Sequence, residues 1–137
     1  MTKDIWINLP VKDVKRSREF FTRLGFELNP RHTGDSMACL LVGEKKVVVM
    51  LIAEPMFAGF SKVKVTDTVQ SAEVLISIDA ESRQEVDELA RKAKDAGGTV
   101  YAEPGESQGW MYGCGFADPD GHRWNALYMD HSKMPKP

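Results

Sequence analysis

Apolar and polar residues alternate with period two over Asp4–Val11. Ile5, Ile7, Leu9 and Val11 form one face there and Trp6 and Asn8 the other, as expected of a half-buried strand. The period then lengthens to that of a helix. Val14, Ser17, Phe20, Phe21 and Leu24 fall on one stripe, Asp13 stands at the N-cap and Gly25 at the C-terminal stop, which predicts a helix through Leu24. Three strand-like runs follow: a weak one at Phe26–Arg31, a better one at Met37–Val42 and a strong one at Lys46–Ile52. Turn residues at 32–36 and 43–45 separate them. Ala53–Ser71 shows no alternation. Met56, Phe57 and Phe60 predict a short helix or lid there, and Thr66–Ser71 reads as a linker.

The order then repeats. Ala72–Ile78 alternates, with Val74, Ile76 and Ile78 on one face and Glu73, Leu75 and Ser77 on the other. Ser82 and Glu85 form a capping box before the helix stripe Val86, Leu89, Ala90 and Ala93, and Gly97-Gly98 ends it. A short strand at Thr99–Glu103, a loop at Pro104–Gln108 and a hairpin complete the half. The hairpin joins Trp110–Ala117 to Arg123–Met129 through Asp118-Pro119-Asp120-Gly121, a turn with Pro, Asp and Gly where each is favoured. Its second strand places Arg123, Asn125, Leu127 and Met129 on one face and Trp124, Ala126 and Tyr128 on the other.

Each half therefore reads strand-helix-strand-strand-strand, an internal repeat that fixes the architecture. The expected fold is α+β, two βαβββ modules forming curved mixed sheets around a cleft. Module one spans 4–52, the linker 53–71, module two 72–130 and a tail 131–137, all within a single domain 1–137. Each helix must bury its apolar stripe on the most apolar face of its sheet. The opposite faces, carrying Trp6, Asn8, Glu73 and Ser77, would then line the hollow, where small ligands bind.

Composition narrows the function classes. At 137 residues the chain can bury roughly two thirds of its unfolded surface. A hydrophobic share of 42%, a charged share of 28% and a net charge of -2 describe an ordinary globular protein with no basic surface for nucleic acid. The basic residues of 12–23 interleave with apolar ones and read as a solvated helix face. No apolar run approaches the roughly 20 residues of a membrane span, and the N-terminus lacks a signal pattern. Cys39 and Cys114 lie within strands and read as free thiols, so a cytoplasmic location is expected.

Two stretches carry a resemblance. Leu9-Pro10-Val11-Lys12-Asp13 with Ser17, Phe20-Phe21 and Leu24-Gly25-Phe26, and Phe116-Ala117-Asp118-Pro119-Asp120-Gly121-His122, resemble motifs of the vicinal oxygen chelate superfamily. That superfamily includes glyoxalase I, extradiol dioxygenases, fosfomycin-resistance enzymes and bleomycin-binding proteins. The resemblance covers nearly the whole chain up to Asp130 and implies the glyoxalase-like fold. It also implies a homodimer, and the apolar cluster Met56, Phe57 and Phe60 reads as contact or lid residues.

The superfamily's enzymes hold a divalent metal with His, Gln or Glu from the first and last strands of each module. By motif offset those positions are Trp6, Glu73 and Asn125, and by strand position Met50. An indole only donates, a thioether is a soft ligand, and an amide replaces a carboxylate poorly. His32, His122 and His131 have no metal-ligand spacing and read as turn or surface residues. No metal and no cofactor is therefore expected. The candidate ligand-binding residues are Trp6, Asn8, Met50, Ser77, Arg123 and Asn125, with Glu73 as the candidate general base or ligand anchor. The first expectation is a glyoxalase-like protein that binds a small organic molecule without a metal, any catalysis being metal-independent. The alternatives are a non-catalytic drug-sequestering protein like the bleomycin-binding members, and a metal-dependent lyase, isomerase or dioxygenase with rearranged ligands.

Overall fold

A computed structural model describes residues 1–135 as two compact units, one over Met1–Asp67 and one from Thr68 onward. The first contains β1 (Trp6–Val11), α1 (Val14–Leu24), β2 (Glu27–Leu28), β3 (Met37–Val42), β4 (Val47–Ala53) and α2 (Glu54–Ser61). The second contains β5 (Leu75–Asp79), α3 (Arg83–Asp95), β6 (Thr99–Ser107), β7 (Met111–Ala117) and β8 (Arg123–Met129). The fold is α+β with two open, mixed, four-stranded sheets, ordered β1-β4-β3-β2 and β5-β8-β7-β6. In each the first strand runs parallel to the fourth and the remaining pairs are antiparallel. No helix among the described residues is long and apolar enough to cross a membrane.

In the first unit the Asp13 carboxylate accepts the Arg16 N–H at 3.1 Å, and Gly25 closes α1 in the left-handed region. Leu9 and Val11 of β1, Val49 and Leu51 of β4, and Ala38 and Leu40 of β3 lie side by side in register and are buried. With Val14, Phe20, Phe21 and Leu24 of α1, which packs on β2, β3 and β4, they form the core. Phe21 meets Phe20 and Phe26 edge-on, at centroid distances of 5.0 and 5.2 Å. The weak strand expected at Phe26–Arg31 shrinks to Glu27–Leu28, because Asn29 caps a 3₁₀ turn over Pro30–His32. Proline has no N–H to continue the ladder.

In the second unit Ile78, Val100, Tyr112, Cys114, Ala126 and Tyr128 pack against Val86, Leu89 and Ala90 of α3. Ser82 Oγ accepts the Glu85 N–H at 3.1 Å, while the Glu85 carboxylate accepts from the Glu81 N–H, one residue earlier than a strict capping box. Two expectations shift here. The strand expected at Ala72–Ile78 starts only at Leu75, which leaves Glu73 in the irregular stretch before it. The strand expected to end at Glu103 runs on to Ser107, through the stretch expected as a loop. β6 is an edge strand with irregularities between Val100 and Ala102 and between Ala102 and Gly105, and an edge with bulges tolerates Pro104.

The hairpin turn is held from three sides. The Gly121 N–H donates to the Asp118 carbonyl, and Asp118 Oδ1 accepts the N–H groups of Asp120 and His122 at 3.0 Å each. The linker lies against it, with the Thr68 hydroxyl donating to the Asp120 carbonyl. Gly121 has φ +88, and a Cβ there would stand 2.5 Å from the Thr68 oxygen and 2.7 Å from the Val69 Cα. Only glycine fits.

Candidate functional site

The strand registers sort the candidate residues. In the first unit Trp6 lies beside Val48, and Asn8 beside Met50, which in turn pairs with Cys39 of β3. Trp6, Asn8 and Met50 thus share the face turned away from the buried row of Leu9, Val49 and Leu40. Trp6 is 58% exposed, an indole open to solvent. In the second unit Ser77 pairs with Asn125, and Leu75 with Arg123, on the face turned away from α3. Glu73 joins Arg123 through the loop that leads into β5. Ala72, Glu73, Val74, Leu75, Tyr101 and Arg123 line a shallow hollow of about 280 Å³.

Tyr101 organises this hollow and was not among the residues expected from the sequence. Its ring lies over Gly115, where a Cβ would come within 2.5 Å of the ring carbons. Its hydroxyl stands 2.8 Å from Asn125 Oδ1 and 3.1 Å from the Trp124 carbonyl oxygen. The Arg123 guanidinium sits over the ring, its carbon 4.4 Å from the centroid. Gly113 and Gly115, alternating inside a strand, were the available signal, since glycine in a strand interior marks a close approach. Burial pushes the Tyr101 hydroxyl above the usual phenol range, with the Arg123 charge pulling the other way. At neutral pH it is a phenol, able to donate a hydrogen bond.

A phenol has one hydrogen and two acceptors here. The Oη–H donates to Asn125 Oδ1, the nearer acceptor, with the Trp124 carbonyl oxygen the second acceptor within reach.

The metal positions implied by the superfamily do not fit a metal. Trp6 offers an N–H donor, Met50 a thioether, and the Asn125 amide is engaged with Tyr101. Glu73 is the one carboxylate of the set, and it lies on an exposed loop. Among the described residues no three His, Cys, Asp or Glu side chains come together in a ligating group. The cysteines offer no nucleophile either: burial pushes the Cys39 and Cys114 thiols up, away from the reactive thiolate. His32 and His131 are exposed, and His122 is buried at the hairpin turn.

Residues 3–43 match a family described as bleomycin resistance protein-like N-terminal. A hypothetical protein from S. aureus is 38% identical, covers 93% of this chain and 95% of its own, and superposes with a TM-score of 0.83. A glyoxalase/bleomycin resistance protein/dioxygenase family enzyme from Burkholderia phytofirmans shares 17% identity at a TM-score of 0.76, over 90% of this chain and 96% of its own. The chain has the fold of these glyoxalase/bleomycin resistance protein/dioxygenase structures, the fold that the vicinal oxygen chelate resemblance implies. A fosfomycin resistance protein from Listeria monocytogenes is also similar in fold, at 18% identity and a TM-score of 0.68 over 100% of this chain and 96% of its own. No curated protein matches the sequence.

Proposed function

We propose that the protein binds a small organic molecule through side chains in place of a divalent metal. The observation that carries this reading is the state of Asn125. The resemblance implies a metal ligand at its position, and here its amide is hydrogen-bonded to Tyr101 at 2.8 Å. Around it the second unit offers an aromatic ring, a guanidinium and a hollow of about 280 Å³. By itself, the first unit carries the exposed Trp6 indole, a surface for stacking.

Thermal-shift screening of a small-molecule collection, run with and without a chelator, tests the reading, because a ligand that binds the native state raises apparent stability by mass action. The expected result is a rise that the chelator leaves unchanged. One stoichiometric equivalent of Ni, Zn, Fe or Mn per chain, in protein purified without chelator, would overturn it and favour a metal-dependent lyase, isomerase or dioxygenase.

Sequestration is favoured over catalysis. The N-terminal match to a bleomycin resistance protein-like family supports it. The enzymatic reading rests on Glu73, which borders the same hollow. Glu73→Gln separates the two: loss of turnover of a confirmed substrate supports a base, and unchanged affinity counts against an anchor.

The proposal includes a homodimer, supported by the 68% exposed Phe60 ring on α2, whose Met56 and Phe57 are partly covered. A monomer by light scattering at micromolar concentration would contradict it.

A further inference from the structure

We propose that the hollow beside β5 and β8 is an anion subsite, in which Arg123, seated on the Tyr101 ring, receives the carboxylate of a small organic acid. The inference rests on the small-molecule reading above and names the charge of the ligand at that same site.

Arg123 is half-buried, and among the described residues its side chain makes a ring contact with Tyr101, 4.4 Å from the centroid, and no hydrogen bond or ion pair. Elsewhere in this unit two cations are matched. Arg83 pairs with Glu106 at 2.7 Å while lying 5.7 and 5.5 Å from the Tyr112 and Tyr128 rings, and Lys94 pairs with Glu103 at 2.8 Å. Arg123 alone of these three is held by an aromatic face and left with its N–H donors unfilled. A guanidinium presents five donors in a planar fork that matches a carboxylate, and stacking on a ring fixes that fork in advance. The ring itself is fixed, because its hydroxyl is tied to Trp124 and Asn125 and its face to Gly115.

The walls set the rest of the ligand. Ala72, Val74 and Leu75 are apolar, and Leu75 is 54% exposed beside the cation. A volume of about 280 Å³ lies just below the roughly 300–1,000 Å³ of drug-sized pockets, so the acid has a compact apolar body. Glu73 borders the same hollow without pairing with Arg123. Its negative charge repels a second anionic group, so the site selects a monocarboxylate over a dianion such as inorganic phosphate.

Sodium benzoate is the probe, with benzamide as its neutral isostere and inorganic phosphate as the competing oxyanion. Binding is read by calorimetry and by chemical-shift mapping on the unliganded wild-type protein. Benzoate is expected to shift the Arg123 Nε–H and the amides of Val74 and Leu75, and to bind on the order of tenfold tighter than benzamide. Arg123→Gln should lose that tenfold preference, and Arg123→Lys, which keeps the charge without the fork, should keep part of it. Equal binding of benzoate and benzamide at these residues would overturn the anion assignment while leaving the small-molecule reading intact. Phosphate binding tighter than benzoate, or shifts confined to other residues, would also overturn it. An absence of any shift with all three probes would overturn it too, and the broader reading then stands or falls by the thermal-shift screen. The shift map needs no variant, so a misfolded Arg123→Gln leaves the test decisive.

Discussion

Asp118 shows at the scale of one residue how the turn taxes the fold it organises. Its carboxylate is buried, one oxygen accepts two backbone N–H groups, and the other has no hydrogen-bond partner among the described residues. Burial pushes its pKa up from 3.8 to about 6, against the pull of His122. The folded state therefore holds a proton that the unfolded chain has lost between those pH values. This group's favourable contribution is complete below pH 4 and disappears as pH rises through about 6, a change on the order of 3 kcal/mol. Asp118→Asn keeps the accepting oxygen and removes the titration. The difference in urea-unfolding free energy between wild type and variant should move in favour of the variant by that order from pH 4 to pH 7. A difference that stays constant across this range would sink the assignment. Asp118 was legible in the sequence as a turn residue, but its burial was not, because a turn motif carries no information about the segment lying over it. Tyr101 escaped for a related reason: one aromatic in a short strand reads as packing until its neighbour across the sheet is known to be glycine.

The elements themselves were mostly legible. α1 and α3 followed from stripe and cap, and β3 and β8 fall at their expected bounds. What failed was local competition. Pro30 turned an expected strand into a 3₁₀ turn, and bulges let β6 pass through Pro104. Burial periodicity sees neither event, since both are settled by backbone hydrogen bonding. At the hairpin the element and its covering linker act together. Gly121→Ala would place a methyl against Thr68 and Val69 in a backbone conformation that side chains rarely adopt. It should destabilise the protein by roughly 2–4 kcal/mol in urea denaturation. A loss under about 1 kcal/mol would show that the linker yields freely, and that its contact with the turn is incidental.

Across the whole molecule, the repeat was the strongest signal, and both sheets carry the same strand order. The faces followed from it: Arg123 and Asn125 lie opposite Trp124 and Ala126, as alternation requires. The chemistry was less legible, because a site depends on which side chains touch across strands, such as Arg123 and Tyr101, far apart in sequence. The two units have separate cores, and the exposed stretch from Lys62 to Asp67 precedes the Thr68 anchor. Limited trypsin digestion should cut first after Lys62 or Lys64, where the backbone lies outside both sheets. First cleavage within α1 or α3 would contradict this.

Gly115 gives the hollow a genetic vulnerability out of proportion to its size. A single-base change from a glycine to an alanine codon would add one methyl group where the Tyr101 ring lies. The ring would have to leave, taking with it the platform under Arg123 and the partner of the Asn125 amide. One nucleotide would thereby release three side chains at once, so a descendant could abandon this chemistry, or begin to explore another, in one step.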